Sequence, residues 1–315
     1  MKKTILLLVN FCIIFSAYAN PEKEYKKIIE QYDIADEAKA VPRNSPAEFL
    51  ETALDNNKLL AKFIKDIQKN KGAEKEAIQK TAELPRFYPQ YDPTIIADMQ
   101  GFCDTLLANM GIAELGINCS LHVVQSEEIN AYTALTENGF AMCLTSSLLT
   151  QRGISYNILM GYIAHEFAHG ALMHHIRRFY ANAKEYRKQR LLGNIAIAVN
   201  TAAAGAEAYA AAQGVQPSGT DYGAVVNDIE QEIKTSTHKY FFEYSREQEY
   251  EADLFAFRFL ENFGCGEDFI NGLRILGAQQ YDSIYSEYDD HPTIQSRINF
   301  IKFVQQHPEL GNKKK

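Results

Sequence analysis

The stretch from Ile158 to Phe167 is apolar almost throughout, yet it carries His165 and Glu166, and a second imidazole, His169, follows two residues beyond it. A segment this apolar belongs inside a fold, where a buried imidazole–carboxylate cluster is costly unless other groups satisfy it. Any fold open to this chain must therefore bring polar partners from elsewhere to this segment. On a helix, four steps of about 100° return almost to the starting direction, so His165 and His169 lie one above the other. Two imidazoles so placed can hold one zinc ion, and Glu166 points to the adjoining side, where a water would be activated.

Zinc in a hydrolytic site takes three protein ligands and keeps a fourth position open. The third donor must come from another part of the chain, and Glu249-Tyr250-Glu251-Ala252-Asp253 offers it. Ser245 and Gln248 read as a capping box that opens a helix there and puts Glu249 in its second turn. Asp253 lies one turn further on the same face, suited to accept a histidine N–H and fix its tautomer. Ala252 leaves room for close helix packing, and Glu247 and Glu251 read as solvated charges. His122, His174, His175, His238 and His307 have no usable partner spacing and read as structural or exposed.

The surrounding pattern is α+β and predominantly helical, with a small antiparallel sheet beside the His165–His169 helix. Leu121 to Val124, Ala131 to Leu135 and Phe140 to Leu144 read as strands, the last two joined through Asn138-Gly139, a strong hairpin signal. Ser155 caps a long helix that carries His165 and runs past Arg190. Upstream, Phe49, Leu50, Leu54, Leu59, Leu60, Phe63, Ile64 and Ile67 give one apolar helical face, without a cluster that could carry chemistry. Pro85, Pro89 and Pro93 mark a boundary, and a helix follows over about Thr94 to Met110.

Lys2-Lys3, the apolar run Ile5 to Phe15 and the small-x-small exit Ala17-Tyr18-Ala19 have the layout of a secretory signal peptide. The expected organisation is a signal peptide over 1–19, a helical extension over 20–85, a domain carrying the candidate zinc site over 86–306 and a tail over 307–315. Cleavage after Ala19 removes Lys2 and Lys3 and takes the formal net charge from −8 to −10. So acidic a chain has no electrostatic reason to bind nucleic acid. The mature chain keeps Cys103, Cys119, Cys143 and Cys265, which allow three disulfide connectivities. The short lysine-led signal points to secretion into a bacterial periplasm.

Leu191 to Gln213 is apolar and alanine-rich, but one membrane span there would part His169 from Glu249, and Asn194, Asn200 and Glu207 suit a span poorly. It reads as a surface helix or flap. Arg177, Arg178, Lys184, Arg187, Lys188 and Arg190 form a basic shoulder before it. The segment 177–213 is thus either a solvated face or a peripheral membrane contact.

The paired motifs, HExxH followed about eighty residues later by Glu-x-x-Ala-Asp, resemble those of the M48 (Ste24/HtpX-like) family of zinc metallopeptidases. Asn130-Ala131-Tyr132, then Gly139-Phe140 to Leu149, is similar to that family's hairpin ahead of the active-site helix, with Thr145-Ser146-Ser147-Leu148-Leu149 replacing its usual threonine-glycine-leucine-leucine. His291-Pro292 with Arg297 resembles its closing HPxxxxR. The likeness runs from about Pro93 to Gln306. It implies a gluzincin fold binding one Zn2+ per chain through His165, His169 and Glu249, with Glu166 as the base that accepts the water's proton. It also implies that the hairpin (Asn130, Ala131, Phe140, Ala141) takes a polypeptide substrate along a strand edge near Ala141. His291 either reaches the metal or the developing oxyanion, or caps the final helix. Arg297 pairs with a carboxylate. The implied activity is endopeptidase action on exported or envelope proteins, in quality control. The rival reading is a chaperone-like assembly factor that uses the same fold with little hydrolysis.

Overall fold

The structure, a computed structural model, describes residues 21–32, 58–69, 119–136, 139–213, 216, 220–279, 291–308 and 310. The signal segment, the prolines at 85, 89 and 93, the helix expected near 94–110, the Asn138 turn position and Cys103 lie outside them. Helices α1 (Pro21–Tyr32) and α2 (Lys58–Lys69) precede three strands, β1 (Cys119–Val124), β2 (Ala131–Thr136) and β3 (Gly139–Thr145). Six helices follow: α3 (Ser146–Thr150), α4 (Tyr156–Ala171), α5 (His174–Ala212), α6 (Tyr222–Glu261), α7 (Gly266–Gln279) and α8 (Ile294–Gln306).

The small sheet is mixed, not purely antiparallel. Its order is β1-β3-β2, with β3 parallel to β1 and antiparallel to β2. Phe140 and Ala141 therefore lie on the central strand and are buried, paired on both sides. They cannot present a strand edge. The edge nearer the site belongs to β2, which packs on α4.

Ser155 caps α4 as expected, accepting the N–H of Ile158 at 3.2 Å. The helix does not run on past Arg190. It ends at Ala171, and Met173 adopts φ 56°, left-handed backbone that a side chain occupies at a cost of roughly 1–2 kcal/mol. The chain turns there and restarts as α5. Just before the turn, a Cβ on Gly170 would lie 2.3 Å from the Phe140 ring, so only glycine lets β3 seat directly on the end of α4.

Nor does a capping box open a helix at Ser245. That residue lies deep within α6, a 40-residue helix capped by Asp221, whose side chain accepts the Ala224 N–H at 3.0 Å. From Ser245 to Leu260 only Glu247 is not fully buried, because this half of α6 packs on α4, α7 and α8 at once. Ala252, fully buried, keeps α6 close to its neighbours. The N-terminal extension contributes to the same core. Tyr25, Ile28 and Ile29 of α1 are buried, and the Tyr25 ring meets Tyr250, Phe300 and Phe303 at 5.3–5.7 Å between centroids. Among the described residues, Cys119, Cys143 and Cys265 are free thiols.

The outer lengths of α5 and α6 form an antiparallel pair. A Cβ on Gly193 would lie 2.2 Å from the Ile233 side chain, which fixes how closely the two helices meet. The opposite side of α5 exposes Leu191, Leu192, Ile195 and Val199. Among the described residues, no helix is long and apolar enough to cross a membrane.

Candidate metal centre

The centre forms where α4 crosses the buried half of α6, with α8 behind. Three donor atoms converge. His165 Nε2 and His169 Nε2 lie 3.1 Å apart, and the Glu249 carboxylate stands 3.5 Å from the first and 3.3 Å from the second. Tetrahedral zinc with bonds of about 2.05 Å separates its ligand atoms by about 3.3 Å, so this triangle already has the size the ion requires. Two imidazoles and one carboxylate are also a donor set suited to zinc. Among the described residues these three are the one group of histidine, cysteine or acidic side chains with such convergence.

The expected partner of a ligand histidine is where α6 should put it. Asp253 Oδ1 lies 3.0 Å from His165 Nδ1 and is wholly buried. Arg297, on α8, grips both oxygens of that carboxylate, donating from Nε at 2.8 Å and from Nη2 at 2.5 Å. Burial opposes the Asp253 charge, but Arg297 and His165 win and hold its pKa below the usual value. Burial and Arg297 also work against a charged His165, and the Asp253 and Glu249 carboxylates overcome them, raising its pKa to about 9. His169 goes the other way: burial holds it well below 6.5. Glu249 stays ionised in spite of burial because His169, His165 and His291 surround it.

Glu166 stands beside this triangle. Burial raises its pKa, with His165 partly opposing. The Thr133 hydroxyl, on β2, lies 2.9 Å from Glu166 Oε2 and 2.6 Å from its backbone oxygen. A strand edge, the Glu166 carboxylate and the donor triangle therefore meet in one cavity of about 450 Å³, lined on one side by Asn130 to Thr133 and on another by Tyr162, Phe269 and Leu276.

His291 does contact the centre, with Nδ1 3.2 Å from Glu249 Oε1, while most of its ring faces solvent. It does not cap the last helix; Thr293 does, through its hydroxyl to the Ser296 N–H at 3.1 Å. Three readings from the sequence change. Glu251 is not a solvated charge but 2% exposed, and Arg177 is not on an open basic face but 1% exposed. His174 is buried against both His169 and Glu251. On an unbroken helix His174, five residues past His169, would point about 140° away from it. Only the turn at Met173 brings the rings together, and no local pattern announces that turn. Thr133 was equally hidden, since nothing in a strand marks the residue that meets a base.

The model of Peptidase family M48 matches residues 97–305, more than half of the chain. No curated protein sequence matches it. Among solved structures, the crystal structure of Ste24p from S. mikatae is similar at 14% identity and a TM-score of 0.35. That likeness covers 94% of this chain and 65% of the other, so this chain spans less than two thirds of that protein.

Proposed function

The chain belongs to peptidase family M48, and on that premise we propose that it is a zinc-dependent endopeptidase. The observation that carries the reading is the triangle of His165 Nε2, His169 Nε2 and Glu249 beside the buried Glu166 carboxylate, all open to one cavity. These three residues would hold one zinc ion. Bound there, zinc supplies a Lewis acid that activates water and polarises a carbonyl.

The chain's own groups supply the rest. Glu166 accepts the proton of the attacking water as its oxygen bonds to the peptide carbonyl carbon. It then hands that proton to the leaving amine as the C–N bond breaks. Burial suits it to both roles, because a carboxylate of raised pKa holds the proton long enough to return it. Thr133 fixes its position. The β2 edge, rather than β3, offers backbone groups to an extended polypeptide, which then lies across the triangle. His291 stands at the open side of Glu249, where it can reach a developing oxyanion. On this reading the substrates are exported or envelope polypeptides and the chain works in the periplasm. Those expectations rest on the lysine-led apolar N-terminus and on the family.

Along one face of α5 run Lys184, Arg187 and Lys188, then Leu191, Leu192, Ile195 and Val199, all exposed at helical spacing. Basic residues followed by an apolar stripe match an anionic lipid surface, and we assign this face to peripheral membrane contact. Flotation with anionic but not zwitterionic vesicles, lost in a Leu192→Ser/Ile195→Ser variant, is the expected result. Equal flotation of both proteins would contradict it.

The direct test of the peptidase reading is Glu166→Gln. It should retain zinc and lose nearly all hydrolysis of an unfolded protein substrate. Undiminished cleavage by that variant would remove Glu166 from the mechanism. Substrate holding that persists in the variant, with no cleavage by the wild type, would turn the reading into the chaperone-like one.

A further inference from the structure

Asp253 serves His165 directly, yet among the described residues no carboxylate meets the Nδ1 of the other histidine, His169. That atom instead lies 2.9 Å from Nδ1 of His174, whose Nε2 lies 3.1 Å from Glu251 Oε2. Arg177 also holds that carboxylate, with Nη1 3.2 Å from the same Oε2. We propose that His174, anchored by Glu251, is a positioning residue that sets the tautomer and ring orientation of the metal ligand His169. This inference rests on the metal-centre reading above.

A neutral His174 facing a carboxylate, which can only accept, carries its proton on Nε2 and leaves a lone pair on Nδ1. The facing Nδ1 of His169 must then be the donor, which leaves the lone pair of His169 on Nε2. Nε2 is the atom that faces His165 and Glu249. With the opposite tautomer, an N–H would point into the triangle and no metal could bind there. Helix α6 thus supplies three carboxylates at alternate positions, Glu249 to the triangle and one behind each histidine. Asp253 acts directly with Arg297 at its back, and Glu251 acts through His174 with Arg177 at its back.

The backbone gives independent support. His174 reaches His169 only because α4 stops and Met173 takes left-handed backbone, a strained conformation that local sequence does not demand. Gln248 reinforces the arrangement by donating to the His174 backbone carbonyl at 3.0 Å. A cluster whose sole role was to fill space would need neither the turn nor the polar chain.

The test is zinc affinity by chelator competition on the full chain, comparing wild type with His174→Phe and His174→Gln. Phenylalanine keeps the ring volume and removes both nitrogens. Glutamine can still accept from His169 and donate to Glu251. The expected result is affinity 10- to 100-fold weaker in His174→Phe, the usual range for loss of such a partner, and largely restored in His174→Gln. Equal affinity in His174→Phe would overturn the positioning role while leaving the metal centre intact, and so would a glutamine variant as weak as the phenylalanine one. Failure of the wild type to bind zinc would overturn the metal centre itself. Should His174→Phe not fold, nitrogen-15 spectra of the zinc-loaded wild type decide alone: His169 must carry its proton on Nδ1, and a proton-free His169 Nδ1 refutes the proposal.

Discussion

Helices α5 and α6 each have two halves of opposite character. Near the metal centre, His174 to Arg177 and Ser245 to Leu260 are almost entirely buried and carry a dense set of paired charges. Away from it, the same two helices pair mainly with each other, and residues such as Lys184, Leu191, Ile195, Asp228 and Glu230 face solvent. Among the described residues, each of these helices thus belongs to a packed core at one end and to a two-helix arm at the other. The difference shows where the chain concentrates its interactions. Buried ion pairs that lose one partner are strongly destabilising, whereas exposed positions tolerate change.

The contrast can be tested by graded substitutions. The largest effect belongs to Glu166→Gln, expected to lower kcat/KM by a factor of about 10² to 10⁴, the usual contribution of a positioned acid–base group, with zinc content unchanged. Next comes Arg297→Met, which leaves the wholly buried Asp253 carboxylate without its clamp. Thermal or urea unfolding should show a loss of about 3–5 kcal/mol, as for other broken buried pairs. Ile28→Ala on α1 lies away from the donor triangle but opens the shared core, so a loss of about 2–4 kcal/mol is expected by the same measurement. A wild-type-like result there would detach α1 from the core described above.

A smaller effect concerns pH. Burial, aided by Arg178, depresses the pKa of His175 to about 4. The unfolded imidazole takes up a proton near pH 6.5 and the folded one only near pH 4, so between these values the unfolded state binds more protons. Stability should therefore fall as pH drops through that window, and His175→Gln should flatten the decline in urea unfolding followed from pH 7 to pH 4. The smallest effect is expected at the arm. Ile195→Ser should shift stability by no more than about 0.5 kcal/mol and leave cleavage of a small soluble peptide unchanged. A large loss there would show that the arm is packed more tightly than its exposure indicates.

The same division governs what could be read from the amino acids alone. That His165, Glu166, His169, Glu249 and Asp253 come together was legible because side chains that converge from helices keep fixed spacings, and those spacings survive in the linear order. The predominantly helical α+β class and the three strands were legible from periodicity. What escaped depended on contacts made at a distance. The parallel pairing of β1 with β3 is a long-range choice, and it moved the free strand edge from Ala141 to β2. Ser245 and Gln248 match a capping pattern, but Asp221 begins the helix far upstream and tertiary packing carries it through. Glu251 looks like any surface glutamate until the turn at Met173 brings His174 and Arg177 against it. The signal peptide and the domain boundary near residue 85 remain sequence-based expectations.

Zinc content is the measurement that meets the central claim most directly. The purified mature chain and a Glu249→Gln variant should be analysed side by side after gentle purification and reconstitution with zinc. About one zinc is expected per wild-type chain, with the metal lost or much more weakly held in the variant. A wild-type chain that holds no zinc, or a variant that holds it equally well, would contradict the centre on which the proposed function stands.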